Sequence, residues 1–267
     1  MFLNLILNSI QSKPRYEQQD AHEFFIAALN AIHKNCIEND TECISQNKLQ
    51  TKFINYNNCH CIIDKIFTGG LQSDVICSYC NYVSTKVDPF WDISLEIRLT
   101  DLREPLRLED CLFRFTLPEI LTSFNCSFCK CTKEAKKQLT MKNLPIVCCF
   151  HLKRFEQSNK IHKKISHHIS FPEQLDMSPF MSPTPKNSSA DHTSDESALK
   201  RRYFLFAVVN HHGSLESGHY TSFIRLTKEQ WFKCDDHIIS KASIKDVMKS
   251  EGYLLFYHQA FIDYNNQ

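Results

Sequence analysis

Four cysteines in two C-x-x-C pairs, Cys77/Cys80 and Cys126/Cys129, constrain this chain more than any other feature. Zinc takes four thiolates in a tetrahedron, and each tight C-x-x-C turn supplies two of them, so the two turns must meet in space. Strand-like sequence surrounds the first pair, at Leu71 to Ile76 and Tyr82 to Val87, and follows the second at Lys137 to Leu139. Each pair is therefore expected at the tip of a β-hairpin, and the two tips together as a zinc ribbon. The gap between the pairs is much longer than in a small isolated ribbon, so the hairpins must belong to a larger fold. Cys131 is an alternative ligand. The chain has thirteen cysteines, and its apolar start, Met1 to Ile10, lacks the basic residues and cleavage site of a signal peptide. That favours zinc in a reducing compartment over a disulfide framework and a secreted protein.

A second ligand set is less regular. His33 and Cys36 stand one helical turn apart, and Cys59-His60-Cys61 closes the polar stretch after them. The best-spaced four are His33, Cys36, Cys59 and Cys61, with unligated thiols as the alternative, because the spacing is not a standard zinc pattern.

The chain around these sites reads as α+β. Apolar residues at Ala21, Phe24, Phe25, Ala28, Leu29 and Ile32 give an amphipathic helix from about Gln18 to His33. Cys36 to Asn58 reads as a loop, Thr68-Gly69-Gly70 as a turn, and Leu106 to Phe115 as a helix. Strands are expected at Trp91 to Ile97, Arg202 to Asn210 and Gly252 to Tyr257. Leu144 to Phe155 is apolar enough for a strand buried on both faces. Lys153, Arg154, Lys160, Lys163 and Lys164 read as the solvated basic face of a hairpin. Residues 177–200, rich in Ser, Pro, Asn and Asp, read as a disordered loop. The formal net charge is +1 over 267 residues, and no apolar run reaches transmembrane length. Neither nucleic acid nor a membrane is therefore expected as a partner.

Ser217 to Asp236 reads as a hairpin. Symmetry about Thr227 would set Arg225 opposite Glu229, Phe223 opposite Trp231, Thr221 opposite Lys233 and His219 opposite Asp235. A carboxylate holding one imidazole nitrogen leaves the other free to take a proton from a nucleophile. On pattern alone, a surface hairpin with an incidental histidine fits equally well.

Ser-Gly-His-Tyr-Thr-Ser-Phe with Trp-Phe-Lys-Cys-Asp-Asp resembles the histidine box of the ubiquitin-specific proteases, papain-like cysteine hydrolases that cut ubiquitin from its conjugates. Gln18-Gln19-Asp20-Ala21-His22-Glu23-Phe24 resembles the family's glutamine-rich box, and His151-Leu-Lys-Arg-Phe155 a third block. The resemblance spans Tyr16 to Tyr257. It implies a palm-and-fingers fold with the thumb largely missing: residual thumb helices and a loop at 1–58, fingers with the zinc ribbon at 62–140, and a palm at 141–267. It makes His219 the general base and Asp235 its orienting carboxylate. It places Asp20 and Gln19 near the C-terminal tail of ubiquitin, and it makes the zinc structural. Thr68-Gly-Gly-Leu-Gln-Ser-Asp and Asp88-Pro-Phe-Trp-Asp-Ile-Ser-Leu are similar to the deubiquitinase subunit of the SAGA co-activator complex and its paralogues. That likeness implies a nuclear protein with SAGA-type adaptor subunits as partners and ubiquitinated histone as substrate; without it the expectation is cytosolic.

One departure stands out. The family's nucleophile lies in a Gly-x-Thr-Cys-Phe box upstream of the glutamine-rich box. This chain begins fifteen residues before Tyr16, and that lead contains no cysteine. The expectation is a ubiquitinyl hydrolase by family whose chain, as it stands, lacks its nucleophile and is inactive. The alternative is a non-catalytic ubiquitin-binding or complex-assembly protein.

Overall fold

Residues 19–39, 61–98, 106–158, 161–183, 195–214 and 217–260 are described by a computed structural model of the chain. The apolar start Met1 to Ile10, most of the loop before Cys59, and Cys59 itself lie outside them. In chain order, helices α1 (Ala21–Asn39) and α2 (Ile62–Phe67) lead into strands β1 (Gly69–Cys77), β2 (Val83–Phe90) and β3 (Ile93–Glu96). Helix α3 (Leu108–Thr116) precedes β4 (Glu119–Asn125), β5 (Thr132–Asn143) and β6 (Val147–Lys153). Then come β7 (Phe155–Ser158), β8 (Ile161–Lys164), β9 (Gln174–Asp176), a 3-10 turn at Ser178–Phe180 and α4 (Asp195–Leu199). The last elements are β10 (Arg202–Gly213), β11 (Gly218–Thr227), β12 (Gln230–Asp235), β13 (Ile238–Ala242), α5 (Ile244–Met248) and β14 (Gly252–Gln259).

Two sheets carry the architecture. A four-stranded sheet runs β2-β1-β5-β4, and an eight-stranded sheet runs β13-β12-β11-β10-β14-β6-β3 with β9 added to β10. Pairing is antiparallel except between β3 and β6. Strand β6 is apolar from Val147 to Phe150 because it lies between β14 and β3 and is covered on both faces. Phe150 and Leu152 face the main core with Leu95, Leu205 and Tyr257. Cys149 faces the other way, with Tyr253 and Leu254, under Ala21 and Phe25 of α1. The Phe25 ring meets Phe256 edge-on at 5.2 Å.

Several expectations change. Helix α1 runs to Asn39 rather than ending near His33, and Cys36 sits inside it. The apolar stripe simply continues one more turn through His33, Cys36 and Ile37, with the polar residues between them on the outer face. Gly69 and Gly70 begin β1 instead of making a turn. Gly69 is needed for close approach: a Cβ there would stand 2.3 Å from the Phe90 ring. The stretch 62–140 divides between the sheets, since β3 joins the large sheet and α3 packs Leu108, Cys111 and Leu112 into its core.

The basic hairpin is only partly a solvated face: Lys153 and Lys163 are exposed, Lys160 lies outside the described residues, and Arg154 and Lys164 turn inward. Arg154 is fully buried. Its Nε donates to the Gly252 carbonyl at 2.7 Å, and its Nη1 donates to the carbonyls of Ile165 and His167 at 2.9 and 2.8 Å. Lys164 donates to the His211 carbonyl at 2.7 Å and meets Glu251 at 3.3 Å. Both cations turn inward because unpaired strand-end carbonyls need donors that only long side chains can bring. The 177–200 stretch is ordered at both ends. Met177 and Phe180 are core residues, and α4 occupies Asp195–Leu199. Two large apolar side chains at its start anchor it against the sheet.

Candidate active site and metal centre

The hairpin β11/β12 forms, but its register differs from the symmetric one. Ser222 pairs with Cys234, Phe223 with Lys233 and Arg225 with Trp231, and an irregularity follows before Thr227 pairs with Gln230. Beyond that irregularity each partner is two residues further along than expected. An even slip keeps every side chain on its own face, whereas a slip of one would have moved Asp235 away from His219. The two therefore meet diagonally across the hairpin. His219 Nε2 donates to Asp235 Oδ1 at 2.7 Å, leaving Nδ1 on the opposite edge of the ring. Asp236, its neighbour, sits at positive φ in the turn to β13 and makes no hydrogen bond to the ring.

Lys233, on the same face of β12 as Asp235, donates to the other carboxylate oxygen at 3.1 Å. The hydrogen bond from His219, and then that from Lys233, hold Asp235 below its ordinary value. The bond to Asp235 raises the His219 pKa, with Asp236 adding to the rise and Lys233 opposing it. The result is an oriented, ionised carboxylate and an imidazole that accepts protons more readily than usual. Gly218 lets the strand pass close to β10, since a Cβ there would stand 2.0 Å from His211 Nε2.

Asp20 caps α1. Its Oδ1 accepts from the backbone N–H of His22 at 2.7 Å and of Glu23 at 3.1 Å, and its Oδ2 accepts from the Tyr253 hydroxyl at 2.6 Å. The expected tail-binding carboxylate is thus also a helix cap and the tie between α1 and β14. Gln19 precedes it, half-buried. Next to this tie lies a group that the sequence reading did not single out. His22 Nε2 bonds Asp92 Oδ2 at 2.9 Å, and Ser94 bonds both Asp92 and His151 Nδ1, at 3.2 and 2.9 Å. The His22 and His151 rings stack with centroids 3.9 Å apart and planes 17° apart. Stacked imidazoles aim their lone pairs along parallel planes, which suits a hydrogen-bonded strut better than convergence on one ion. Burial, and then the neighbouring His22, push the His151 pKa down to about 4.

Cys77, Cys80, Cys126 and Cys129 converge at the tips of hairpins β1/β2 and β4/β5, all four sulfurs within 4.8 Å of one another. The Cys77–Cys129 and Cys80–Cys126 sulfurs are 4.0 and 3.7 Å apart. Zinc–sulfur bonds of about 2.3 Å in a tetrahedron place sulfurs roughly 3.8 Å apart, far beyond the ~2.05 Å of a disulfide. The two turns are built alike: Asn81 and Lys130, each following its pair, both take φ of 59°. Backbone N–H groups of Cys80 and Tyr79 lower the Cys77 pKa, and those of Cys129 and Phe128, against burial, lower Cys126 to about 7. Against such donors, burial and the neighbouring sulfurs raise Cys80 and push Cys129 up to about 12. Donors aimed at sulfur favour the thiolate that a metal needs. Cys131 bonds the Cys129 carbonyl and lies outside the four.

The second set differs from expectation. His33 Nδ1 lies 3.1 Å from Cys61 Sγ and 3.6 Å from Asp64 Oδ2, and among the described residues Asp64 rather than Cys36 completes the group. The reason is local. Cys61 is the N-cap of α2, so Asp64, three residues on, is turned to the same side as its sulfur.

The remaining described thiols do not approach His219 as hydrogen-bond partners. Burial pushes Cys111 up to about 11, Cys148 up to about 12 and Cys149 well above the ordinary value. Such thiols are poor nucleophiles.

The family described as "Ubiquitin carboxyl-terminal hydrolase" matches residues 1–257. The chain belongs to the ubiquitin carboxyl-terminal hydrolase family. Ubiquitin carboxyl-terminal hydrolase 22-A of Xenopus laevis is 51% identical over 98% of this chain and 54% of its own length. Ubiquitin carboxyl-terminal hydrolase 22 of Homo sapiens is 50% identical over 98% of this chain and 53% of its own. Ubiquitin carboxyl-terminal hydrolase nonstop of Drosophila melanogaster is 47% identical, over 98% and 54%. The chain thus spans about half the length of the curated relatives it matches. Among solved structures, a chain of the SAGA Ubp8/Sgf11/Sus1/Sgf73 DUB module bound to ubiquitin aldehyde aligns at a TM-score of 0.72 and 33% identity. That match covers 91% of this chain and 50% of that one. The same module bound to monoubiquitin gives 0.73 and 33%, covering 91% and 49%. For a hydrolase of this family, the signal for the Lys233 contact was present in Trp-Phe-Lys-Cys-Asp, where alternation puts Lys233 and Asp235 on one face. Asp64 and the Asp92/His151 strut join segments far apart in the chain, and no local pattern marks them.

Proposed function

We propose that this chain is the base-bearing and metal-bearing part of a deubiquitinase that removes ubiquitin from protein conjugates. One observation carries the reading: His219 gives Nε2 to an ionised Asp235 at 2.7 Å and keeps Nδ1 for a proton from a thiol. A base fixed in tautomer and orientation by a carboxylate is what thiol acyl transfer requires. The thiol itself is contributed from outside the described residues. Asp20 and Gln19 flank the path of the ubiquitin tail, with Asp20 tied between α1 and Tyr253.

Zinc fits the four-thiolate cluster in both donor set and spacing. Cys77, Cys80, Cys126 and Cys129 would hold it with no position left for water, so it serves as a structural ion. A second zinc would use His33 and Cys61, with Cys59 and either Cys36 or Asp64. Ubiquitin and SAGA-type adaptor subunits are the proposed partners, ubiquitinated histone the proposed substrate, and the nucleus the proposed location. The support is the likeness to chains of SAGA DUB modules. Among the described residues no helix is long and apolar enough to cross a membrane.

The test is hydrolysis of a ubiquitin C-terminal amide by a protein that carries this chain with its nucleophile box, with and without His219→Gln. Loss of the base should cut turnover by roughly a thousandfold or more; unchanged turnover overturns the reading. The chain alone should neither hydrolyse the substrate nor react with a ubiquitin probe bearing a thiol-reactive C-terminus. An adduct mapped to any of its thirteen cysteines would reveal a nucleophile within it.

A further inference from the structure

A cavity of about 350 Å³ opens on the face of the large sheet that carries His219 and Asp235, between β10, β11, β12, β13 and α5. Its lining includes Asn210, His212, Thr221, Lys233, Lys241 and Asp246. Volumes from about 300 Å³ are typical of small-molecule sites.

Asn210 makes the cavity unusual. It is 1% exposed, yet neither its side-chain nitrogen nor its oxygen has a hydrogen-bond partner among the described residues. Buried polar groups are ordinarily satisfied, so an orphaned amide lining a cavity marks a place where something else supplies the partner. Its direction is set by the sheet: Asn210 pairs with Thr221 on one side and with the side-chain-free Gly252 on the other. Thr221 is itself bonded to His212 Nε2 at 3.1 Å, so the neighbours have no spare group turned to the amide.

The charges around it are uneven. The Lys241 ammonium makes no hydrogen bond or ion pair among the described residues. Asp246 is the one carboxylate in the lining, and its Oδ2 is taken by the Ser243 N–H at 2.9 Å and hydroxyl at 2.6 Å, as the cap of α5. Lys233 reaches out of the cavity to Asp235. What remains for a ligand is an unpaired ammonium, an amide N–H, and a second ammonium that can swing between the cavity and the carboxylate. That set matches a carboxylate or phosphate group. The volume is larger than a bare inorganic ion, which leaves room for an organic remainder.

We propose that this cavity is a binding site for a small organic anion, a carboxylate or a phosphate ester, anchored by Asn210 and Lys241, and that its occupant acts on His219 through Lys233. The anion adds negative charge behind the pair and draws Lys233 away from Asp235. Lys233 opposes protonation of His219, so both effects raise the affinity of the ring for its proton. Neither the cavity nor this link depends on the reaction the pair serves, and both are measured without turnover.

The experiment titrates the chain separately with succinate and with inorganic phosphate, with the neutral diamide of succinate as control. The Asn210 side-chain amide and the His219 ring are followed by NMR. Saturable movement of the Asn210 amide with at least one anion, none with the diamide, and a rise in the His219 pKa on binding are expected; the stronger anion identifies the headgroup. Lys241→Met, on an exposed residue, should weaken binding about tenfold, as for one charge-assisted contact, and Asn210→Leu should abolish it. Lys228→Met, in the β11/β12 turn, should change nothing. No saturable movement with either anion, binding unchanged in both Lys241→Met and Asn210→Leu, or a fall in the His219 pKa would each overturn the proposal.

Discussion

Replacing Arg154 tests the packing of the large sheet at its most demanding point. The guanidinium makes three hydrogen bonds to carbonyls, of Gly252 in β14 and of Ile165 and His167 in the segment after β8. Hydrogen bonds from a charged donor contribute roughly 1.5–3 kcal/mol each. Against them stands the cost of dehydrating the charge, several kcal/mol. Burial also lowers the Arg154 pKa, with Glu251 opposing, and Nη2 finds no partner among the described residues. Arg154→Met removes the dehydration cost and fills much of the same volume. It leaves three carbonyls with nothing to bond, each at roughly 1–3 kcal/mol. The net expectation is a loss of about 3 kcal/mol, near the lower end of what removing one partner from a buried charged network costs. At about 2–4 °C per kcal/mol for a chain of this size, the melting midpoint should fall by about 9 °C. Thermal and urea unfolding of the parent, Arg154→Met and Arg154→Lys would measure it. The lysine variant should fall between the other two, because one ammonium reaches only part of the three-carbonyl set. A methionine variant melting within about 2 °C of the parent would show that the sheet holds without these bonds, and the reasoning would fail.

Three further outcomes are expected. Cys126→Ser should lower bound zinc by one equivalent in elemental analysis and loosen the β4/β5 tip, since metal binding there is folding free energy; an unchanged zinc content would remove Cys126 from the ligand set. The His219 pKa should lie above the ordinary imidazole value and drop in Asp235→Asn, which loses the main cause of its rise. Because the folded value is raised, the stabilising His219–Asp235 charge pair is complete below the unfolded value and fades as pH climbs through the folded one; ring NMR showing no drop in the variant would count against the pairing. His151, held down to about 4, takes up its proton more readily when unfolded. Stability should therefore fall on acidification from about 6.5 toward 4, by at most about 1.4 kcal/mol per pH unit, and less steeply in His151→Phe; identical pH profiles for the two would sink the assignment.

The features legible in the sequence were those with local signatures. The C-x-x-C turns announce themselves by spacing. The β6 run Val147–Lys153 shows burial on both faces, and alternation in β11 and β12 puts His219, Lys233 and Asp235 on one side. The exact register was not legible, because the turn falls at Lys228 and Glu229 rather than at Thr227, a slip of three. The irregularity between Arg225 and Thr227 takes one residue back, leaving a slip of two that keeps the same faces together. Arg154 and Lys164 read as surface because composition carries no information on which carbonyls lie stranded nearby. The extension of α1 past His33 was hidden by polar residues that occupy only its outer face. Asp64 replaced Cys36 beside His33 for a geometric reason, the capping of α2 by Cys61, that appears only once the helix has a beginning.

The chain path between the two sheets gives the metal centre a longer reach than its place at the hairpin tips suggests. Cys77 and Cys129 are 52 residues apart, and the segment between them is not confined to the small sheet. It leaves after β2, contributes β3 to the edge of the large sheet and α3 to its core, and only then returns as β4. An ion clasping both ends therefore closes a ring that threads through the large sheet. By analogy with a covalent crosslink of similar span, such closure removes about 4 kcal/mol of unfolded-chain entropy. Ejecting the ion would free not a fingertip but a loop containing Leu95, Leu108 and Leu112, so hydrogen exchange should quicken in β3 and α3 as well as at the cysteines. Order at the β3 edge of the large sheet is, in this sense, fastened from the hairpin tips of the small one.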